Sequence, residues 1–324
     1  MNDDIRWMGA AITLVQRSRG RTWPNPNVGC LIVNDGRVVG RGWTQPGGRP
    51  HAEAIALDQA GSDAHGATLY TTLEPCAHVS ERGPTCSHLI AAAGIMRTVV
   101  AVSDPDPRTN GKGIAFLRTA GITVIEAIAT ETAARAMEGF LTRQRLGRPH
   151  VTLKLALSLD GCIARADGES QWITGPIARP HGHLERSRAE AILVGRGTFE
   201  ADAPRLDVRL AGLESRIPAR YVLTTYAKTD HPDWNTVRSP GDIFAIPADH
   251  VLIEGGASAA SSFLAADMVD RLLLYRAPIL IGGGKPALHD IGLTNLSEAH
   301  GRWRSIDSRM LGADRLDIYE RLRD

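Results

Sequence analysis

Four side chains in two short stretches have the types and the order of a catalytic metal site. His51 and Glu53 lie in Pro50-His51-Ala52-Glu53, and Cys76 and Cys86 follow them along the chain. One imidazole and two thiolates would bind zinc and leave its fourth position to water, which is the catalytic rather than the structural pattern. Glu53, two residues from the imidazole, would stay off the metal and carry protons to and from that water.

Each of these residues also has an ordinary structural interpretation. A lone His-x-Glu is common in helices, and buried cysteines are often inert apolar side chains. Here, however, Cys86 follows Thr85, a candidate N-cap, and a helix N-terminus favours the thiolate that a metal needs. His-x-Glu followed by Pro-Cys and a second Cys is also the order of zinc nucleobase deaminases. The four residues therefore predict hydrolytic deamination of a nucleobase-like ring.

The composition limits the class of protein. The 324 residues are more naturally two domains than one, and a hydrophobic content of 43% suffices for two cores. A net charge of +1 gives no electrostatic case for binding nucleic acid or an acidic membrane. Four cysteines are too few for a disulfide framework, so Cys30 and Cys162 are expected to be free thiols in a reducing compartment. With an acidic start unlike a secretion signal and no apolar run near the ~18 residues that span a bilayer, we expect a cytoplasmic protein.

The first half alternates helix and strand patterns, which indicates an α/β sheet with helices on its faces. Apolar residues recur with helical spacing from Ile5 to Val15, after a candidate cap at Asp3 or Asp4. The turn Asn34-Asp35-Gly36 predicts a β-hairpin. The other predicted elements are strands near 67–72, 98–102 and 122–126 and helices near 52–60, 85–93, 112–120 and 129–141.

Two polar stretches of the first half leave two interpretations open. Asn25 either caps a turn or contacts a base, and the sequence favours neither. Asp104-Pro105-Asp106-Pro107 follows a predicted strand, where α/β sheets place ligand groups, and a stiff turn explains it equally well.

A polar, basic segment broken by Gly and Pro, 143–149, is the best domain boundary. The predicted domains are therefore 1–146 and 150–324. The second is again α/β. Its predicted elements are strands at 150–159, 191–195, 220–224, 250–254 and 270–275 and helices near 176–188 and 257–266.

The second half contains weaker signals for a phosphate-bearing ligand. Glu254-Gly255-Gly256-Ala257-Ser258 reads as a strand end, a glycine turn and a helix start, whose free N–H groups suit a phosphate. Ser170 with Arg186 and Arg209 would suit a sugar phosphate, although surface arginines usually have no such role. No Gly-x-Gly-x-x-Gly fingerprint is present, so a Rossmann-type site is not supported.

Several longer stretches are more specific than any one motif. In the first half they are Asn25 to Gly29, Pro50 to Glu53 and Thr72 to His78; in the second half they are Leu153 to Gly161, Gly168 to Thr174, Val194 to Thr198 and Glu254 to Gly256. Together and in this order they resemble the bifunctional riboflavin-biosynthesis deaminase/reductase family over nearly the whole chain. The resemblance implies an α/β protein with a cytidine-deaminase-like N-terminal domain and a dihydrofolate-reductase-like C-terminal domain.

The same resemblance implies two reactions, two cofactors and a set of site residues. A zinc-dependent deamination of a diaminopyrimidinone ribosylamine phosphate would precede an NADPH-dependent reduction of its ribosyl chain to ribityl. His51, Cys76 and Cys86 would bind zinc, with Glu53 as proton carrier, in a homodimer or higher homo-oligomer. The implied substrate residues are Asn25, Lys154, Ser170, Arg186, Leu206, Arg209 and Glu254. The implied NADPH residues are Ala156, Trp172, Thr198, Asp202, Thr225, Gly256, Ala257 and Ser258.

Some positions depart from the family's usual residues. Thr44 stands where the family commonly has His, Cys162 where a basic residue is usual, and Ala203 where a second acidic or amide residue is usual. The loop from Ser80 to Thr85 is one residue longer than usual and has lost a proline.

Three alternatives compete with this interpretation. One is a zinc deaminase of nucleobases or RNA whose second domain binds a nucleotide without catalysis. Another is a structural zinc module in which His78 supplies a fourth ligand. The third is a second half that binds its ligands but no longer turns them over.

Overall fold

The computed structural model of the protein describes residues 2–78, 83–226 and 231–323. The chain forms two compact units, Met1–Gly147 and Arg148–Asp324, and each contains a hydrophobic core. Both units are α/β, as the alternating patterns predict. None of the helices within the described ranges is long and apolar enough to cross a membrane.

The first unit has five strands and six α-helices in its described part. The strands are β1 (Gly29–Asn34), β2 (Arg37–Trp43), β3 (Thr68–Leu73), β4 (Arg97–Val102) and β5 (Thr123–Ile125). The helices are α1 (Asn2–Val15), α2 (Ala52–Ala60), α3 (Cys86–Ala92), α4 (Lys112–Thr119), α5 (Thr130–Ala136) and α6 (Glu138–Leu146). Short 3₁₀ turns lie at Pro46–Gly48 and Gly61–Ala64.

These strands form one sheet in the order β2-β1-β3-β4-β5. β1 pairs antiparallel with β2, which confirms the predicted hairpin, whereas β3, β4 and β5 are parallel. α2 lies directly against β2, because Gly42 has no Cβ; one there would come within 1.9 Å of the Ala52 carbonyl oxygen. This close approach fixes the start of α2, where His51 and Glu53 stand.

Three details of the first unit correct the sequence-based expectations. α1 begins at Asn2, so Asp3 and Asp4 lie in its first turn and neither is the N-cap; Asp4 binds Arg97 at 2.7 Å instead. The single helix predicted near 129–141 is two helices, broken at Met137, whose φ of −108° leaves the helical region. α6 then continues to Leu146, so much of the basic segment predicted as linker is helical.

The second unit has ten strands and three α-helices in its described part. The strands are β6 (His150–Leu157), β7 (Cys162–Ala164), β8 (Ala191–Gly195), β9 (Ala219–Leu223), β10 (Trp234–Val237), β11 (His250–Glu254), β12 (Arg271–Arg276), β13 (Lys285–Pro286), β14 (Trp303–Leu311) and β15 (Asp314–Arg321). The helices are α7 (Ala178–Arg186), α8 (Arg196–Asp202) and α9 (Ala257–Ala265). Short 3₁₀ turns lie at Pro240–Ala245 and Leu296–Ala299.

Eight of these strands form a sheet in the order β10-β9-β8-β11-β6-β12-β15-β14. The pairs from β10 to β12 are parallel, and β15 and β14 add an antiparallel edge. The sequence reading missed both strands of that edge. In β14 no residue is buried, and in β15 two of the four buried residues, Asp314 and Asp317, are acidic, so neither strand has a continuous apolar run. β7 and β13 pair separately.

Candidate active sites

The first site lies where three elements of the first unit begin or end. His51 directly precedes α2, and Cys86 is the first residue of α3. Thr85 caps α3 by accepting the His88 backbone N–H, as predicted. Cys76 follows β3, whose parallel neighbour β4 ends at the same edge of the sheet. Carboxyl ends of parallel strands and helix N-termini are where α/β folds collect ligand groups.

The three predicted ligands converge on one point. The Nδ1 atom of His51 lies 3.2 Å from Cys86 Sγ and 3.6 Å from Cys76 Sγ. Their three ligand atoms are all within 4.8 Å of one another. An imidazole and two thiolates form a donor set suited to zinc, whose bonds of ~2.0–2.3 Å can reach all three atoms. His51, Cys76 and Cys86 therefore have the atom types and the spacing that a zinc ion needs.

His78, the candidate fourth protein ligand, makes a different contact. Its Nδ1 atom lies 3.3 Å from Thr109 Oγ1. Within the described ranges, the metal-binding group at this point contains His51, Cys76 and Cys86 and does not include His78. Three protein ligands leave room for water or substrate, which is the arrangement of a catalytic rather than a structural zinc site.

Asn25 holds the imidazole in place. Its amide nitrogen donates to the Gly48 carbonyl at 2.9 Å and lies 3.1 Å from His51 Nε2. This contact orients the ring so that Nδ1 faces the two sulfurs. Orientation of a ligand histidine through its second nitrogen is a regular feature of metal sites. The sequence reading considered a turn cap or a base contact for Asn25 and missed this role.

The electrostatics suit proton transfer at Glu53. This residue is buried, and its Oε2 atom lies 3.4 Å from Cys86 Sγ. Burial raises the pKa of Glu53, which makes the carboxyl group a better proton carrier near neutral pH. The hydrogen bond with Cys86 lowers the pKa of Cys76, so one of the two sulfurs is held as a thiolate.

His51, Glu53 and Cys76 border a cavity of about 280 Å³ that Asn25, Asp104 and Asp106 also line. Glu74 borders it too, and sequence reasoning assigned it no separate role. Its carboxylate accepts the backbone N–H groups of Asp104, Gly111, Gly113 and Ile114 at 3.0 to 3.2 Å. Glu74 thereby ties the segment after β4 to the stretch that carries Cys76. The sequence signal that could have found it was an acidic residue directly before Pro75-Cys76.

The second unit contains a cavity of about 880 Å³ bordered by the carboxyl ends of β8, β9 and β11. Its β11–α9 turn is tightly packed: a Cβ on Gly255 would lie 3.2 Å from both Gly195 N and Ala259 Cβ. The Gly256 N–H donates to Thr198 Oγ1 at 3.0 Å. Such a glycine cradle at the start of a helix fits the phosphates of a dinucleotide. Seven of the predicted NADPH residues line this cavity: Ala156, Thr198, Asp202, Thr225, Gly256, Ala257 and Ser258.

A second cavity of about 790 Å³ borders the first and shares Lys154, Ser170 and Glu254 with it. The predicted substrate residues of this half line it: Lys154, Ser170, Arg186, Leu206, Arg209 and Glu254. Trp172, predicted among the NADPH residues, lines this second cavity, where the Arg179 guanidinium lies 4.8 Å from the centre of its ring. Lys154, Ser170 and Glu254 therefore lie between the two cavities.

Glu254 organises the charges between these cavities. Arg186 donates to it through Nε at 2.7 Å and Nη2 at 2.9 Å, and Lys154 Nζ lies 3.3 Å away. Burial alone would raise the pKa of Glu254, but the charges of Lys154 and Arg186 outweigh burial and lower it to about 2. Two nitrogens of Arg186 are thus already bound to Glu254. The Arg209 side chain is half exposed, and its Nε lies 3.2 Å from Asp207 Oδ1.

The residues that differ from the family's usual ones lie at different places in the structure. Thr44 is buried at the first cavity, and its hydroxyl accepts the Val28 N–H at 2.9 Å. Cys162 is buried in β7, and its N–H donates to Ser158 Oγ at 2.9 Å. Ala203 ends α8 in the left-handed region and lines the second cavity. Of the lengthened loop before Cys86, residues 79–82 lie outside the described residues.

Comparison with known proteins identifies the family. The model of the cytidine and deoxycytidylate deaminase zinc-binding region matches residues 1–102, and the model of the RibD C-terminal domain matches residues 149–239 and 245–314. The riboflavin biosynthesis protein RibD of Escherichia coli is 39% identical over 344 residues, with 91% of this chain and 94% of its own length covered. The chain belongs to the RibD family. RibD of Mycobacterium tuberculosis is 40% identical, with 95% of each chain covered.

Solved structures of the RibD family have the same fold. RibD of Acinetobacter baumannii is 34% identical, with a TM-score of 0.88 over 99% of both chains. A deaminase/reductase of Thermotoga maritima is 30% identical, with a TM-score of 0.88 over 98% of this chain and 99% of the other. The predicted family and fold class are therefore confirmed.

Membership of the RibD family also establishes the general activity. The chain is a bifunctional deaminase/reductase of riboflavin biosynthesis that acts on a small molecule, with a zinc-binding deaminase domain and an NADPH-using reductase domain. A deaminase whose second half only binds a nucleotide is the weaker alternative, since that half matches a reductase domain.

Proposed function

We propose that residues 1–146 carry the deaminase site and residues 150–324 the reductase site, with the side chains described above in the predicted roles. The substrate we propose is a diaminopyrimidinone ribosylamine phosphate. The Thermotoga maritima relative supports this choice, because it is named a diaminohydroxyphosphoribosylaminopyrimidine deaminase. The observation that carries the proposal is the convergence of His51, Cys76 and Cys86 within 4.8 Å at a cavity bordered by Glu53.

In the deaminase site, His51, Cys76 and Cys86 would hold zinc. When bound, zinc supplies Lewis-acid activation of water at neutral pH. Glu53 takes a proton from the attacking water on its carboxylate and returns one to the departing amino group. Its buried position, which raises its pKa, keeps the proton available for that second transfer. Asn25 keeps the His51 ring oriented and also borders the space for the pyrimidine.

In the reductase site, Thr198, Gly256 and Ser258 would bind the phosphates of NADPH at the start of α9. When bound, NADPH supplies the hydride. Lys154 lies where the two cavities meet, so it would contact the opened sugar beside the nicotinamide. Glu254 holds Lys154 and Arg186 in fixed positions, and such positioning is the protein's main contribution to a cofactor reaction.

One assay tests both halves. The purified protein is incubated with the phosphorylated pyrimidine, and ammonia release and NADPH oxidation are followed separately. We expect ammonia release without NADPH and NADPH oxidation once the deaminated product is supplied. Ammonia release with no NADPH oxidation would identify a reductase half that has lost turnover. Failure of both would refute the proposed substrate.

We further propose a cytoplasmic homodimer or higher homo-oligomer that binds neither nucleic acid nor membranes. None of the four cysteines, all of them described, forms a disulfide, which suits a reducing compartment. The net charge of +1 offers no general attraction to nucleic acid. Light scattering of the purified protein measures the assembly, and an RNA gel-shift tests the absence of RNA binding.

A further inference from the structure

The cavity of the first unit is rich in carboxylates. Glu53, Glu74, Asp104 and Asp106 all border it. A phosphate ester carries roughly −1.5 to −2 charges at neutral pH. Carboxylates at this cavity would repel such a substrate unless cations at the same cavity compensate for them.

Three of these carboxylates are held by donors of the protein itself. Glu74 accepts four backbone N–H groups, as described above. Asp104 accepts the Asp106 N–H at 2.9 Å, and burial is the main cause that raises its pKa to about 6. Asp106 is paired with Arg108, whose Nε and Nη2 donate to it at 2.5 to 3.0 Å. The Arg108 side chain is 67% exposed, and its Nη1 takes no part in these bonds.

Arg49 is the other cation among the described residues that border this cavity. It borders the same cavity two residues before His51, and its positive charge acts on the His51 ring. Its side chain is only partly exposed. Within residues 2–78, 83–226 and 231–323 its guanidinium makes no hydrogen bond or ion pair. A partly buried guanidinium beside a cavity is a suitable binding group for a phosphate, because its planar N–H groups match phosphate oxygens.

We propose that Arg49, together with the Nη1 group of Arg108, binds the substrate phosphate at the deaminase cavity. This inference rests on the proposed function, since it identifies the end of the cavity that receives the phosphate while the pyrimidine lies against His51 and Glu53. The binding energy acts on the whole substrate and not on the reacting ring carbon. Its loss therefore weakens substrate binding and leaves the chemical step intact.

The test compares the phosphorylated substrate with its dephosphorylated counterpart in Arg49→Gln. For the phosphorylated compound we expect KM for ammonia release to rise about 10- to 100-fold with kcat nearly unchanged, because a charge-assisted hydrogen bond is lost. For the dephosphorylated compound KM should not change. Arg49→Lys should recover part of the affinity, and ribose phosphate should compete less well against Arg49→Gln than against the natural protein.

Three controls accompany the variant. Arg41→Gln removes an exposed arginine of β2 outside the cavity and should leave KM unchanged. Zinc content and NADPH oxidation with the deaminated product should equal those of the natural protein. An unchanged KM in Arg49→Gln, or an equal rise for both compounds, would overturn the phosphate role. Absence of ammonia release from the natural protein would instead refute the proposed function, so the two failures are distinguishable.

Discussion

The two units build their sites from differently spaced residues. In the first unit the zinc ligands lie within one stretch, and His51 and Cys86, its outermost members, are 35 positions apart. In the second unit the central contacts join Lys154 to Glu254 across 100 positions and Arg186 to Glu254 across 68. The first site is therefore built mostly from short motifs at the ends of helices and strands. The second site forms only after the whole sheet has folded.

This difference affects what a substitution does. In the first unit Glu53 forms no ion pair with another described residue, and its Oε2 atom contacts Cys86 Sγ instead, so its replacement acts mainly on chemistry. In the second unit Glu254 is both a site residue and the buried partner of two cations. Activity and stability are therefore separable at the first site and coupled at the second.

The largest expected effect is on catalysis in Glu53→Gln. Ammonia release should fall by roughly 10²–10⁴-fold, because the proton carrier is lost while the three zinc ligands remain. Zinc content and NADPH oxidation with the deaminated product should be unchanged. Glu126→Gln, at an exposed ion pair of the same unit, is the matched control and should keep full activity. Near-normal ammonia release in Glu53→Gln would show that this carboxylate is not the proton carrier.

Glu254→Gln tests the coupling in the second unit. We expect the reductase unit to lose about 3 kcal/mol of unfolding free energy, because Arg186 and Lys154 keep their charges without a partner, and NADPH oxidation to fall in parallel. Denaturant unfolding and the two activity assays measure this. Asp307→Asn, at an exposed pair with Arg309, should cost less than about 1 kcal/mol. A Glu254→Gln protein as stable as the natural one would contradict the coupling.

Acid should weaken the second unit through the same residue. The pKa of Glu254 is about 2 in the folded protein against an ordinary value of 4.5, so its contribution is complete above pH 4.5 and is lost as pH falls toward 2. A shift of this size corresponds to about 3 kcal/mol. The acid-induced loss of stability between these values should be smaller in Glu254→Gln. Parallel acid profiles for the two proteins would exclude this contribution.

The smallest expected effect is at the cap of α3. Thr85→Ala removes the acceptor of the His88 N–H and should destabilise the first unit by about 1 kcal/mol. Because the cap fixes the start of the helix at Cys86, zinc should also be released at lower chelator concentration. Thr119→Ala, at an exposed helical position, is the control and should leave zinc retention unchanged. If Thr85→Ala retained zinc as well as Thr119→Ala, the cap would stabilise α3 without affecting zinc binding.

The difference in spacing also explains which parts of the fold were predictable. β8, β11 and α2 were predicted at their observed bounds, because continuous apolar runs or a clear helix start mark them. β14 was missed, because an exposed edge strand lacks the apolar pattern that reveals a buried one. The break at Met137 was missed for a related reason: both flanking segments have helical composition, and a single backbone angle separates them.

The sequence by itself determined the zinc chemistry, since His51, Glu53, Cys76 and Cys86 have types and an order that few other functions require. It also pointed to the reductase half, but through several stretches matched together and not through one motif. Only the tertiary structure decided which groups remain free to act. Long-range pairing holds Glu74 on backbone donors and Arg186 on Glu254, whereas Arg49 forms no ion pair with any residue that the structure describes. Such commitments depend on distances between residues far apart in the chain, which a linear pattern does not contain.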